Sequence, residues 1–213
     1  MAAPPQERVT VFFFQELTDS SQLRIFEDMR NAFRERWGHL LTEDGQWWGR
    51  EVGKHERVWM VVFWKDEHGW EAVLSDPAYP VFEKTFFGSV ALPDSLIHNV
   101  PVHSAKPLRE VLEAGVNFAA YCRLKPDQTA EWIRVTERLL TELDYPGWQG
   151  GAYLSPVDTG GEGLSLGAWE SVEASQQLFA DGRFSDLMDA TNDVFDGAAR
   201  TFNSLVKFQK HLS

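Results

Sequence analysis

The chain has 213 residues and carries 32 acidic against 20 basic residues, a net charge of −12. This charge repels phosphate backbones and anionic lipid, so the composition argues against nucleic acid and membrane surfaces as partners. The single cysteine, Cys122, excludes an intramolecular disulfide framework, and no run approaches the roughly 20 apolar residues of a membrane span. The polar start shows no secretory signal, so we expect a cytoplasmic protein.

The sequence repeats itself with a constant shift of 105 residues: Trp64 and Asp76 of the first copy recur as Trp169 and Asp181 of the second. A constant shift over many positions is typical of a duplicated unit, and each half has the size of a small domain. We therefore predict a first repeat over residues 1–105, a linker over 106–115 and a second repeat over 116–213.

Each repeat shows the pattern strand, helix, strand, strand, helix, strand. In the first repeat a Val- and Phe-rich segment predicts the first strand, and apolar residues at helical spacing predict the first helix, which Gly38 ends. The six elements are predicted over residues 8–17, 19–37, 45–52, 58–63, 66–75 and 96–104. Those of the second repeat are predicted over 116–124, 127–143, 148–154, 164–169, 171–180 and 201–207, and the linker is at most a short helix.

This order is that of the ferredoxin-like βαββαβ unit, whose antiparallel sheet carries both helices on one face. We therefore predict an α+β protein of two tandem ferredoxin-like repeats. Their uncovered sheet faces have to be buried or filled. Two such sheets facing each other make an intramolecular, pseudo-dimeric α/β barrel that is wide enough for a small ligand.

Three segments carry a resemblance to a known superfamily: Trp-Glu-Ser-Val-Glu-Ala at 169–174, its weaker copy at 64–72, and Gly-Trp-Gln-Gly-Gly-Ala-Tyr at 147–153. With them the chain resembles the dimeric α/β-barrel superfamily, in particular tandem members similar to antibiotic-biosynthesis monooxygenases and stress-responsive A/B-barrel proteins. The resemblance covers nearly the whole chain. Its motifs indicate the fold far more than the reaction, because this fold carries many activities.

Strand alternation sorts the side chains of the strand that begins at Val116. One set is uniformly apolar and is expected to face the helices, which leaves Asn117, Tyr121 and Arg123 for the barrel interior. On the last strand the same reasoning directs Asn203 inward. Ser165 is a further polar side chain that could bind a substrate.

Aligning Leu17 with Leu124 transfers this alternation to the first repeat. There the inward set becomes Thr10, Phe12, Phe14 and Glu16, and the 105-residue shift makes His98 the counterpart of Asn203. The other side chains expected to shape the pocket are Trp47, Trp48 and Met60.

Glu16 and His98 are expected at neighbouring strand ends, where a carboxylate can orient an imidazole and make it a general base. The alternative is a salt bridge at the rim of the barrel. Because Arg123 and Asn203 take these positions in the second repeat, we expect the main active site in the first repeat.

The segment Asp-Pro-Ala-Tyr-Pro-Val-Phe at 76–82 is similar to the His-Pro-x-His-x-x-Phe segment of A/B-barrel polyketide cyclases, in which the second histidine acts as base. Tyr79 stands at that position, and a phenol is better suited to donate a hydrogen bond to a carbonyl or enolate oxygen. The resemblance therefore implies Tyr79 as a third catalytic residue. The alternative is that Asp76 and the two prolines end a helix and that Tyr79 packs beneath it.

No phosphate-binding glycine loop and no zinc motif is present, and the six histidines show no ligand spacing, so we expect neither metal nor cofactor. The resemblance implies a cofactor-independent enzyme that binds a hydrophobic, polyketide-like or aromatic small molecule and catalyses cyclisation, isomerisation or elimination. A cofactor-free monooxygenase is one alternative. A non-catalytic barrel that binds a ligand, or haem through His98, is another. The chain is expected to be a monomer with an internal pseudo-dimer, or a homodimer.

Overall fold

The computed structural model describes the following residues: 7–14, 17, 19–53, 57–88, 96–154, 161–182, 184–195 and 202–211. Of residues 96–101, 187, 188 and 202 it describes the backbone alone. The chain forms two compact units. Unit 1 comprises Met1–Asn99 together with Gln209–Ser213, and unit 2 comprises Val100–Phe208.

The first repeat has strands β1 (Arg8–Phe14), β2 (Leu41–Glu51), β3 (Val58–Trp64) and β4 (Leu96–Ser104), and helices α1 (Ser20–Trp37), α2 (Gly69–Ser75) and α3 (Tyr79–Phe82). A 3-10 turn, Gly38–Leu40, follows α1, and a π-helical turn, Glu83–Phe87, follows α3. A short helix, α4 (Leu108–Leu112), lies in the predicted linker. The second repeat has strands β5 (Val116–Arg123), β6 (Trp148–Leu154), β7 (Glu162–Trp169) and β8 (Phe202–Lys210), and helices α5 (Thr129–Glu142), α6 (Val172–Asp181) and α7 (Ser185–Asp193).

The strands confirm the predicted fold class, α+β with two tandem ferredoxin-like repeats. Hydrogen bonds connect them in the order β1-β3-β2-β8-β5-β7-β6-β4, the order of a closed barrel. Within unit 1, β3 pairs antiparallel with both β1 and β2. Within unit 2, β5 lies between β7 and β8, and β6 pairs with β7 and with the end of β4, again antiparallel.

Two helices begin where the sequence places a capping side chain. The Asp19 carboxylate accepts a hydrogen bond from the backbone N–H of Gln22 at 2.8 Å, which satisfies an otherwise unpaired donor in the first turn of α1. The Ser171 hydroxyl does the same for Ala174 at the start of α6, at 3.1 Å. These caps explain why the predicted starts of both helices are close to the observed ones.

Two helical segments were not predicted. Pro80 lies in the first turn of α3, where its missing N–H costs no hydrogen bond, so this proline begins a helix as well as following one. Helix α7 is rich in Asp, Asn and Thr, whose side chains compete for backbone hydrogen bonds and weaken the helical signal.

The side-chain directions predicted for β1 are wrong by one residue. Arg8 pairs with Trp64 and Val116 pairs with Trp169, so β1 and β5 are related by a shift of 108 residues. The alignment of Leu17 with Leu124 assumes one residue less, and a slip of one residue turns every side chain to the opposite face. Helix α1 is longer than α5, with 18 residues against 14, which accounts for the extra residues between the first two strands.

Thr10, Phe12 and Phe14 consequently face the helices of unit 1. The Phe12 ring meets Trp70 of α2 edge to face at 5.5 Å between centroids, and Phe14 meets Phe26 of α1 at 5.1 Å. The prediction that these three side chains point away from the helices is therefore corrected.

Side chains of β5 alternate as predicted, whereas those of β8 do not. Phe118 of β5 meets Phe179 of α6 at 5.0 Å, so its face is the helix-facing one. Because Asn203 pairs with Ala120, and Leu205 with Phe118, both residues of β8 lie on that same face. The inward direction predicted for Asn203 is therefore also corrected.

Candidate active site

Unit 2 contains a cavity of about 140 Å³ between the helix-facing side of its sheet and helices α5, α6 and α7. Its walls are mostly apolar, with aromatic rings, leucines and a few neutral polar side chains. The lining residues are Phe118, Ala120, Leu139, Leu140, Leu143, Trp148, Ser165, Leu166, Gly167, Trp169, Leu178, Phe179, Thr191, Asn192, Phe195 and Asn203. A cavity of similar volume is known to hold a benzene molecule, so this one accepts an aromatic ring.

Small residues on the sheet give the cavity its floor. Ala120 of β5 lies between Ser165 of β7 and Asn203 of β8, with which it pairs on either side. A Cβ atom on Gly167 would come within 3.0 Å of the Trp148 ring, so this glycine lets the indole lie directly over the strand. Paired residues of adjacent strands share a face, and the floor is therefore a row of short side chains.

Aromatic side chains form the walls. Trp148 and Trp169 meet at 5.1 Å in an edge-to-face arrangement, and Phe118 and Phe179 meet at 5.0 Å. Phe179 is 46% exposed, which places it at the mouth of the cavity. Such walls favour a flat, hydrophobic ligand, because aromatic rings stack or meet edge to face with other rings.

The polar groups of the cavity are neutral. Ser165, Thr191, Asn192 and Asn203 supply hydroxyl and amide groups, and none of the lining residues in the described part of unit 2 is ionisable. Hydroxyls and amides both donate and accept hydrogen bonds. These walls can thus orient the oxygen atoms of a ligand, but they supply no charged acid or base.

Behind the floor, a fixed polar pair supports the sheet. The Tyr153 hydroxyl donates a hydrogen bond to the Glu137 carboxylate at 2.7 Å, and its ring stacks on His103 at 4.6 Å. Burial, and then Glu137, raise the pKa of Tyr153 well above its ordinary value, so its proton stays on the phenol. Because Tyr153 pairs with Ser165, this contact holds the strand next to the floor in place.

Five of the predicted site residues come together in the aromatic core of unit 1: Phe12, Phe14, Trp48, Met60 and Tyr79. Tyr79 lies against Trp70 at 5.8 Å and against Trp37 at 6.3 Å. Burial, with a smaller effect of Glu83, raises the pKa of Tyr79 to about 12, so near neutral pH the phenol is a hydrogen-bond donor. Thr10, on the same face, accepts a hydrogen bond from Trp64 Nε1 at 2.9 Å.

The other predicted residues lie elsewhere. Trp47 and Asn117 are buried on the sheet faces opposite to Trp48 and Phe118, and the Asn117 amide donates to the Leu112 carbonyl at 3.5 Å.

Tyr121 is buried, whereas Arg123 is exposed beside Glu162, with which it pairs. Asn203 is exposed and lines the cavity of unit 2. Glu16 and the side chain of His98 fall outside the described residues. The catalytic roles of Glu16, His98 and Tyr79, and the haem alternative at His98, therefore stay predictions.

Sequence reasoning missed the residues that make the cavity, above all Ala120, Gly167 and Trp148. A signal was present in β7, where Gly163, Ser165 and Gly167 alternate along one face. Three short side chains in a row leave room above a sheet.

A second cavity, in unit 1, is polar. It measures about 200 Å³ and is lined by residues that include Arg34, Asp44, Lys210 and His211. Its charges are matched within the protein: Lys210 lies 3.3 Å from Asp44, and Arg34 donates to the carbonyl of His211 at 3.2 Å. It is therefore a poorer candidate for a hydrophobic ligand than the cavity of unit 2.

In the part of the chain that the structure describes, no three His, Cys, Asp or Glu side chains are grouped so that they could hold a metal ion. Within the same residues, every helix is too short or too polar to cross a membrane.

The fold is shared with solved structures of low sequence identity. An anthrone oxidase-like protein matches with a TM-score of 0.67 and 12% identity, over 99% of this chain and 95% of its own. A candidate monooxygenase from Fusobacterium nucleatum subsp. nucleatum matches with a TM-score of 0.59 and 14% identity, over 99% and 94%. A monooxygenase-like protein from Listeria innocua matches with a TM-score of 0.52 and 9% identity, over 96% of each chain.

At these identities the likeness shows the fold, and it confirms the resemblance to the dimeric α/β-barrel superfamily at that level. No protein-family model matches this chain. No curated protein matches its sequence significantly.

Proposed function

We propose that this protein is a cofactor-independent enzyme that binds an aromatic, polyketide-type small molecule in the cavity of unit 2 and acts on it as a monooxygenase. The observation that carries this proposal is the lining of the cavity, which combines aromatic walls with neutral hydrogen-bonding groups. Acid–base cyclisation needs a group that moves a proton at the reacting atom. An oxygenase whose substrate is itself acidic does not.

The reaction balances without a cofactor. A substrate of the anthrone type has a CH₂ group beside an aromatic ketone system and loses a proton readily. Its carbanion then reduces dioxygen, so that the CH₂ group becomes a carbonyl, one oxygen atom enters the product and the other leaves as water. The bound substrate supplies all the electrons for this step.

In this mechanism the protein binds the substrate and stabilises its anion. Asn203 and Ser165 flank the floor of the cavity and can donate hydrogen bonds to substrate oxygens. Donors of this kind favour the enolate, because they meet the charge as it develops on oxygen. Trp148, Trp169 and Phe118 hold the ring plane and keep water from the reacting carbon.

The likeness to an anthrone oxidase-like protein and to monooxygenase-like proteins supports this choice of substrate class, although it extends to the fold alone. The predicted first-repeat site is the alternative. It requires Tyr79 to donate to a substrate carbonyl from within a filled aromatic core.

The test is oxygen uptake by the purified protein with 1,8-dihydroxyanthrone, read with an oxygen electrode and by mass spectrometry of the product. We expect one dioxygen consumed per anthraquinone formed, above the rate without protein. Asn203→Ala is expected to slow this reaction about 10-fold to 100-fold. Arg138→Gln, a change in an exposed ion pair of α5, is the matched control and should leave the rate unchanged.

Two results would contradict the proposal: oxygen uptake no faster than without protein, or uptake that Asn203→Ala does not slow. A product of unchanged formula that forms without oxygen, and that Tyr79→Phe abolishes, would instead support the cyclase or isomerase alternative.

A further inference from the structure

Equivalent positions in the two repeats hold very different side chains at the cavity. The strand pairing makes Phe12 the counterpart of Ala120, because Phe12 pairs with Met60 and Ala120 pairs with Ser165. In the same way, Val62 of β3 is the counterpart of Gly167 of β7, since they pair with Thr10 and Phe118. Each exchange replaces a short side chain of unit 2 by a larger apolar one in unit 1.

The helical wall shows the same substitution. Asn192 lines the cavity from α7, and the 105-residue shift places Phe87 at its position in the first repeat. Phe87 is 4% exposed and lies 6.2 Å from Phe12 between ring centroids. A polar side chain that faces a cavity in unit 2 is thus an aromatic core residue in unit 1.

A third exchange lies beneath the second helix. Trp70 of α2 meets the Phe12 ring edge to face at 5.5 Å, and its counterpart in α6 is Ser175. Ser175 is fully buried, and its hydroxyl has no hydrogen-bond partner. The two rings that fill this region in unit 1 are therefore both absent from unit 2, where Ala120 and Ser175 stand in their place.

We propose that each chain binds one aromatic ligand, in the second repeat alone, because Phe12 occupies in the first repeat the volume that the ligand occupies in the second. The residues at the positions of Ala120 and Ser165 then determine whether a repeat binds a ligand. This inference rests on the proposed function in one respect, that the cavity of unit 2 accepts a flat aromatic molecule. It places the ligand in the opposite repeat from the sequence-based prediction.

Packing in unit 1 agrees with this reading. Phe12, Met60 and Val62 are all at most 1% exposed and belong to one continuous core with Trp70 and Phe87. Protein cores are packed as densely as organic crystals, so such a core has no room for a further ring.

The experiment measures binding stoichiometry with 1,8-dihydroxyanthraquinone, which absorbs visible light and has no CH₂ group to oxidise. Equilibrium dialysis of the full chain is expected to give one equivalent bound per chain. Ala120→Phe introduces the side chain of the first repeat, and it should remove saturable binding while circular dichroism shows an intact fold. Ser165→Met makes the second such exchange and carries the same expectation if Ala120→Phe does not fold.

A matched control keeps the cavity and changes the other face of the same strand. Ala119→Val adds volume at a position that points away from the cavity and should leave the stoichiometry at one. Two equivalents bound by the wild type, no binding by the wild type, or unchanged binding by both cavity variants would each overturn the inference. None of these outcomes depends on oxygen uptake, so a failure here and a failure of the proposed reaction can be told apart.

Discussion

The Asp76 carboxylate accepts two hydrogen bonds from the Arg36 guanidinium, at 2.9 and 2.8 Å, although 40 residues separate them. It also accepts one from Trp37 Nε1 at 2.9 Å and one from the backbone N–H of Ala78 at 2.9 Å. The Arg36 hydrogen bonds are the main reason that the pKa of Asp76 lies well below its usual range. A single carboxylate thus ties the end of α1 to the turn between α2 and α3.

We expect Asp76→Asn to lower the free energy of unfolding at neutral pH. Because the pKa of Asp76 is lowered in the folded state, its stabilisation is fully present above the unfolded pKa, near 4, and is lost as the pH falls through the folded value. The gap between wild type and variant should therefore shrink in acid. Urea denaturation at about pH 7 and about pH 3 measures it. Glu142→Gln, in an exposed helix pair, is the control with the smaller effect, and a gap that persists in acid would contradict the argument.

His211 is expected to make stability depend on pH near neutrality. Burial, and then the charges of Arg30 and Arg34, lower its pKa, and Arg30 Nη1 lies 3.1 Å from its Nδ1. The folded state therefore binds fewer protons than the unfolded state, and stability falls as the pH drops below about 6.5. His211→Gln should flatten this decline, and the exposed His68→Gln should not. Equal slopes for the two variants would count against it.

Phe12→Ala is expected to cost about 3–5 kcal/mol of folding free energy, since it removes a fully buried ring from a packed core. Phe179→Ala removes the same side chain from a 46% exposed position and should cost less than about 1 kcal/mol. Thermal and urea unfolding of both variants provide the comparison. Equal losses would mean that the Phe12 region is packed more loosely than the ring contacts indicate.

Gly151→Ala tests how closely helix and sheet approach in unit 2. An added Cβ atom would come within 2.5 Å of both Leu140 Cδ2 and the Leu166 carbonyl oxygen. We expect a loss of about 1–3 kcal/mol in the free energy of unfolding. Gly38→Ala is the control: its backbone is right-handed helical, and the nearest atom, Arg34 Cγ, is at 3.4 Å. A control variant as unstable as Gly151→Ala would show that close approach is not the cause.

The fold could be predicted because it depends on features that a sequence displays directly. The shift that relates Trp64 to Trp169 revealed the duplication, and Asp19 and Ser171 marked two helix starts. Periodicity and capping act over a few residues, so they survive without knowledge of the tertiary structure.

The candidate site could not be predicted in the same way, because it depends on register. With the shift of 108 residues that the strand pairing shows, Phe12 aligns with Ala120, and the contrast between a filled and an open repeat becomes visible. The shift of 107 residues hid it and turned Thr10, Phe12 and Phe14 to the wrong face. The extra residues around α1 that change the shift leave no mark in the pattern of apolar residues.

Strand β8 starts in unit 2 and ends in unit 1. Its final residues hold the edge of β2: the His211 N–H donates to the Gln46 carbonyl at 2.8 Å, and Lys210 pairs with Asp44. A ribosome makes residue 46 long before residue 211, so in the nascent chain this edge waits for its partner with open hydrogen-bonding groups. Translation thus gives the protein its first sheet early but the last contacts of that sheet only after the second repeat has been made.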